Sequence, residues 1–92
     1  MRYAVIYTML DIERNAGCRP RHVDFLRRLL REGKVVEGMK FPDYRPGGVQ
    51  GVLVCEAASR EEVAAWFEED PVIAEGARRF EVRDYEPMSL RP

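Results

Sequence analysis

The chain has 92 residues, with fifteen Lys and Arg against sixteen Asp and Glu, a net charge of −1, 46% hydrophobic and 34% charged residues. That length supports one core and not two, and the composition excludes extended disorder. Near-balanced charge argues against a general nucleic-acid binder, which needs a basic excess to displace counterions from phosphate.

Arg2 to Thr8 reads as a strand in which both alternating sets, Tyr3-Val5-Tyr7 and Ala4-Ile6-Thr8, are largely apolar. Such a strand is covered on both faces. The run up to Leu10 and the Ala16-Gly17-Cys18 triplet superficially resemble a lipoprotein leader, but Asp11, Glu13 and Arg14 interrupt it, so it reads as structure. Asp11 to Arg19, with its Asn, Gly and charges, reads as a loop. Pro20 suits a first helical position, and Val23, Leu26, Leu29 and Leu30 follow at helical spacing. Gly33 ends that helix, and Arg27, Arg28 and Arg31 complement its dipole.

Val35 to Met39 is a short second strand. Lys40 to Gly48 holds two prolines and two glycines and reads as a loop over a pocket. Val49 to Glu56 is a third strand. Ser59-Arg60-Glu61-Glu62 is a capping box that opens a second helix, with Val63, Trp66 and Phe67 on its buried face and an end near Asp70-Pro71. A brief helical turn precedes a last strand, Arg79 to Tyr85. The whole chain, 1–92, is expected to form a single domain, with a tail over 85–92 at a dimer interface.

The order βαββαβ is the ferredoxin-like plan, an α+β fold with a four-stranded antiparallel sheet and two helices on one face. The other sheet face carries apolar alternates of the first and third strands and needs a partner. A second copy packed sheet to sheet is the simplest solution, so the chain is expected to be a homodimer.

Two cysteines, Cys18 and Cys55, are too few for a disulfide framework and lack metal-ligand spacing. Cys55 is assigned to the core and Cys18 to an exposed loop. A single histidine, His22, excludes a His-rich metal site within one chain. No apolar run approaches the ~20 residues of a spanning helix. The expectation is a cytoplasmic protein with no metal, no cofactor, no membrane contact and no nucleic-acid partner, acting on a small molecule.

His22 falls on the first turn of the expected first helix, with Phe25, Leu26 and Leu29 at the i+3, i+4 and i+7 offsets, so its ring turns toward the helix–sheet junction. Asp70 follows Phe67 by three residues and lies near the buried stripe of the second helix. A carboxylate that accepts from one ring nitrogen fixes the tautomer and leaves the other nitrogen free as a general base. The pattern leaves two readings open: such a pair, or a satisfied core histidine beside an Asp that caps the next turn. Arg19 is a candidate to hold an anionic substrate, or fixes its loop. Tyr7 and Tyr44 are candidates for pocket hydroxyls, or pack in the core or an interface. The arginines Arg19, Arg21, Arg27, Arg28 and Arg31 read as a solvated helix face, with Arg28 and Glu32 as an i,i+4 pair. Gly47-Gly48-Val49-Gln50-Gly51-Val52 resembles the phosphate-cradling loop of the acylphosphatases, but here the segment enters the third strand and Cys55 stands where that family's Arg is expected, so the match reads as coincidental.

Arg19-Pro20-Arg21-His22, then Leu29-Leu30-Arg31-Glu32-Gly33-Lys34 and Gly38, then Trp66-Phe67-Glu68-Glu69-Asp70-Pro71 with Gly76 after it, resemble in order and spacing the YCII-related family. The resemblance runs over nearly the whole chain. It implies a ferredoxin-like fold assembled into a dimeric α/β barrel, and it lays the family's His–Asp pair on His22 and Asp70. It further implies a cofactor-free enzyme that moves a proton on a small, cyclic organic substrate by elimination or isomerisation, as one dehydrochlorinase of similar plan does on a chlorinated hydroxyhydroquinone. Val72 replaces the aromatic residue that many relatives have after Asp-Pro, and Met39 follows Gly38 where many have Pro. An altered pocket and a different substrate are therefore expected. Two other classes fit the same frame: a non-catalytic module that binds or senses a small ligand, and a cofactor-free oxygenase of the same barrel architecture.

Overall fold

A computed structural model describes residues 1–91, which run through β1 (Arg2–Met9), α1 (Ile12–Arg31), β2 (Val35–Lys40), β3 (Val49–Glu56), α2 (Arg60–Phe67), α3 (Pro71–Ala74) and β4 (Arg78–Asp84). The strands form one sheet in the order β2-β3-β1-β4, with every neighbouring pair antiparallel. This is the ferredoxin-like α+β plan, with the short α3 inserted before β4. Pro92, the last residue of the expected tail, lies outside the described residues.

β1 takes an inner position because both of its faces are apolar. Tyr3, Val5, Tyr7 and Met9 are buried and lie on the helix side. Their cross-strand partners fix what else faces that side: Gly51, Leu53 and Cys55 from β3, and Arg78, Phe80 and Val82 from β4. Phe25 and Leu29 of α1, Val63 and Phe67 of α2 and Val72 of α3 close the core over them. Ala4 and Ile6 point the other way, opposite Val54 and Val52, and none of these four belongs to the core cluster.

The first helix departs most from expectation. Asp11 to Arg19 is not a loop: Asp11 caps α1 with a carboxylate oxygen that accepts the Arg14 amide at 2.9 Å, and the helix runs through Pro20 to Arg31. An interior proline removes a ladder bond and costs about 3 kcal/mol in an isolated helix. Burial outweighs that cost here. Asn15, Cys18, His22, Phe25 and Leu29 repeat at 3-4-3-4 spacing and form one buried stripe on both sides of the proline. His22 therefore lies on the third turn of α1 and not the first, Arg19 is helical, and Cys18 is buried instead of exposed. Gly33, at φ +74°, ends the helix as expected, with the Lys34 and Gly33 amides bonded to Leu29 and Leu30 carbonyls.

The Ser59 half of the capping box of α2 forms, with Ser59 Oγ accepting the Glu62 amide at 3.2 Å, whereas the Glu62 carboxylate accepts the Ala58 amide at 3.2 Å, one residue ahead of the cap. Val63 and Phe67 are buried, whereas Trp66 is half-buried under the Lys34 ammonium, 5.0 Å from the ring centroid. Arg28 and Glu32 approach to 4.0 Å on the exposed face of α1. β2 runs one residue past its expected end, and β4 starts one residue early, at Arg78. Among the described residues no helix is long and apolar enough to cross a membrane.

Candidate active site

Three elements converge on one carboxylate. α2 ends at Phe67, and the chain turns through Glu68 and Glu69 so that Asp70 caps α3 ahead of Pro71. Asp70 is fully buried, and its Oδ1 accepts the Val72 amide at 3.2 Å. The third turn of α1 holds the His22 ring above the sheet, with Nδ1 2.9 Å from both Asp70 oxygens. From β1, the Tyr7 hydroxyl donates to Oδ2 at 2.5 Å. A carboxylate only accepts, so Nδ1 carries the proton, and Nε2, which meets an Arg78 N–H, is the accepting nitrogen.

Nε2 faces Arg78. One guanidinium nitrogen, Nη1, donates toward it at 3.3 Å, while Nε donates to Asn15 Oδ1 at 2.7 Å. The same guanidinium lies 5.2 Å above the centroid of the Tyr7 ring, which meets His22 edge-on. Asn15, Arg78, His22, Asp70 and Tyr7 thus form one continuous buried network, none of them more than 5% exposed. Among the described residues no buried side-chain nitrogen or oxygen lacks a partner. Such a network holds the His22 ring and the Asp70 carboxylate in one geometry.

Burial, and then the Asp70 charge, hold the Tyr7 phenol well above its ordinary value of 10.0. Burial lowers the Arg78 guanidinium, partly offset by Tyr7 and Asp70. Tyr7 has a folded-state value above its unfolded one, so its contribution to stability is complete below about pH 10 and is lost as pH rises further. An ultraviolet titration is expected to show a tyrosine that ionises only with alkaline unfolding. Tyr7→Phe is expected to remove that step. A wild-type titration with no phenol left un-ionised until the fold is lost would contradict the buried bond to Asp70.

The exposed side of the network opens into a cavity of about 130 Å³. Tyr7, Arg19, His22, Lys40, Tyr44, Gln50 and Arg78 supply its polar lining, and Val23, Leu26 and Leu53 an apolar wall. Cavities near 150 Å³ hold a benzene ring, which sets the scale of an occupant. Gly51 faces Tyr7 across the strand pair, and a β-carbon there would come within 2.8 Å of the Met39 carbonyl, so the floor stays bare.

The structure therefore brings His22, Asp70 and Tyr7 into direct contact and places Arg19 and Tyr44 around the same cavity. Tyr7 presents its ring there, since its hydroxyl is bonded to Asp70. The two readings of Asp70 are both satisfied by one side chain, which caps α3 and bonds His22. Asn15, Gln50 and Arg78 were not among the expected site residues. Asn15 stands seven residues before His22 on the buried stripe, and Arg78 shares strand parity with Phe80 and Val82; those were the available signals. Gln50 falls where the β1–β3 register shifts, which a single strand pattern does not show. Cys55 lies in the core with its thiol pushed up by burial to about 12, inert as a nucleophile. No group of three or more His, Cys, Asp or Glu among the described residues is arranged to hold a metal ion.

The profile of the YCII-related domain matches residues 1–89, and the chain belongs to that family. No curated protein sequence matches it. Among solved structures it is similar to 5-chloro-2-hydroxyhydroquinone dehydrochlorinase from Burkholderia phenoliruptrix, in complex with 2,5-dihydroxybenzoquinone, with a TM-score of 0.75, 19% identity and 94% of each chain covered. It is also similar to muconolactone isomerase, with a TM-score of 0.69, 17% identity, and 100% of this chain and 97% of the other covered. At such identities the likeness establishes the fold.

Proposed function

We propose that this protein is a small cofactor-free enzyme in which His22, oriented by Asp70, moves a proton on a small organic compound by elimination or isomerisation. The observation that carries this reading is the buried ring whose Nδ1–H is held by both oxygens of Asp70 while Nε2 is turned to the cavity. Nε2 removes a proton from an activated carbon, and the adjacent carboxylate stabilises the imidazolium that forms. In an elimination the freed electron pair becomes a double bond as the leaving anion departs. In an isomerisation the same nitrogen returns the proton at another atom. Tyr7 holds Asp70 in place, and Arg19 and Tyr44 face the substrate from the rim. A chlorinated hydroxyhydroquinone and a muconolactone are the first substrates to try, because the two structural neighbours are named for those reactions.

The test is product formation by the wild type and by His22→Gln, followed by chloride release or ultraviolet absorbance. Turnover by the wild type with a loss of roughly 10²-fold or more in the variant is expected. Equal turnover in both would remove His22 from the mechanism. One observation favours a second reading, a ligand-binding module: Nε2 already accepts from Arg78. A ligand that raises the melting temperature and is recovered unchanged would support that reading instead.

The proposal includes a homodimer joined through the uncovered sheet face, where Ala4, Ile6, Val52 and Val54 lie together, with the tail after β4 beside it. Met88 and Leu90 of that tail are largely exposed in the single chain. Light scattering is expected to give twice the chain mass, and Ile6→Glu, beside Glu81 on β4, to give the monomer. A wild type that is monomeric at high concentration would refute this assembly.

A further inference from the structure

Arg78 is a buried cation, 4% exposed, yet no carboxylate lies within ion-pair distance of it among the described residues. Buried arginines are ordinarily neutralised by an acid, since an unpaired charge is costly to desolvate. Here the two named acceptors are both neutral, the Asn15 amide oxygen and His22 Nε2. The bond to Asn15 is short at 2.7 Å, whereas the approach to Nε2 is loose at 3.3 Å. Three of the five guanidinium N–H groups have no acceptor in these bonds. The cavity in front of them is lined by Arg19, Lys40 and Arg78 and by no acidic residue, because Asp70 is screened behind the His22 ring.

We infer that the cavity takes a small organic monoanion, carboxylate or enolate, whose oxygen replaces His22 Nε2 as the acceptor of Arg78, so that binding of the substrate frees the base. This rests on the reading of the cavity as a substrate pocket and names the class of compound it admits. Arg78 is anchored through Nε on Asn15, which leaves its outer nitrogens to swing between Nε2 and a ligand. A guanidinium fork matches a planar carboxylate or enolate far better than it matches an imidazole nitrogen. Because Nη1 and Nε2 are neighbours in one wall of the cavity, an anionic oxygen on one and an acidic C–H on the other lie close together in the bound molecule. The substrate class is therefore a compound whose labile proton sits near the carbon bearing the anionic oxygen or carboxylate. A neutral molecule of the same shape leaves Arg78 on Nε2, and the base stays engaged.

The experiment uses the only histidine as its own reporter. Benzoate, formate and the neutral near-isostere benzamide are titrated into the wild type while the two ring nitrogens of His22 are followed by nitrogen-15 NMR. Benzoate is expected to shift the Nε2 signal toward that of a free lone pair and to bind at least about tenfold more tightly than benzamide. In Arg78→Gln, checked for folding by its amide spectrum, benzoate affinity is expected to fall roughly tenfold to a hundredfold while benzamide is unaffected. Arg78→Lys keeps the charge without the fork and is expected to lie between the two. Equal affinity for benzoate and benzamide in the wild type overturns the inference, as does the absence of any anion effect on Nε2 at tens of millimolar. Both of those outcomes need no variant, so a misfolded substitution cannot rescue the idea. The readout needs no turnover either: anion-dependent release of Nε2 is measured independently of whether any compound is turned over, so this inference and the enzyme reading can fail separately.

Discussion

Asp70→Ala is expected to lower the stability of the fold by about 3–5 kcal/mol, which in a domain of this size is a fall in melting temperature of roughly 12 °C or more. The size of the effect follows from what the carboxylate holds. It is fully buried and accepts from the Tyr7 hydroxyl, the His22 Nδ1–H and the Val72 amide. Alanine leaves all three donors in an apolar interior with no partner and removes the cap of α3, each a loss of about 1 kcal/mol or more. Tyr7→Phe removes only one donor and is expected to cost less. In the double variant the two costs are expected to fall well short of their sum, since without Asp70 the Tyr7 hydroxyl has nothing to donate to. A denaturant melt measures all of these. A loss below about 1 kcal/mol for Asp70→Ala would mean that the network is not dry.

Asp70→Asn is the chemically sharper change, because it keeps the shape and exchanges an acceptor for a donor. The amide has one oxygen for three donors, and its NH₂ must face Tyr7, His22 or Val72. Val72 presents an N–H and cannot accept, so the NH₂ falls to the Tyr7 hydroxyl oxygen or to His22 Nδ1. Donation to Nδ1 would put the ring proton on Nε2, against the Arg78 N–H that already donates there, so the amide turns to the Tyr7 hydroxyl and the ring keeps its proton on Nδ1. Loss of the carboxylate removes the charge that stabilises the imidazolium. On an identified substrate kcat is expected to fall by roughly 10²–10⁴-fold with little change in KM, while nitrogen-15 NMR still finds the proton on Nδ1. Normal turnover by this variant would show that the Asp70 charge plays no part in the proton transfer.

The strands and α2 were legible because their residues obey one local rule at a time. β1 has two apolar alternates and lies inside the sheet, and Ser59 and Glu62 mark the start of α2 where the structure has it. α1 was not legible at its start because Pro20 is a strong local stop while the opposing signal is spread thinly over polar or small residues. Asn15 and Cys18 continue the stripe of His22, Phe25 and Leu29, but neither is counted as apolar core by eye. Tertiary burial decided between them. The His22–Asp70 contact joins residues 48 apart, and the expected βαββαβ order was sufficient to bring them together. Arg78 escaped notice for a related reason. In a run of two arginines nothing but strand parity separates the inward one from the outward one, and parity depends on where β4 begins. An error of one residue in that boundary hid the cation that faces the base.

The cavity is walled by two kinds of chain. One side is α1, the sheet strands β1, β2 and β3 and the start of β4, with Asn15, Arg78, His22, Asp70 and Tyr7 tying α1, β1 and β4 to the cap of α3. The other is the connection from Phe41 to Gly48, which brings Tyr44 to the rim and is clamped only at its ends, by Phe41 on Gln50 and by Gly47 and Gly48 on Met9. A change on the first side disturbs buried partners and is costly. A change in the middle of the connection disturbs none of that network. Descent with modification can therefore rewrite what enters this pocket one loop residue at a time while the proton-handling apparatus is inherited unaltered, so related chains can diverge in their chemistry of choice without passing through an unfolded ancestor.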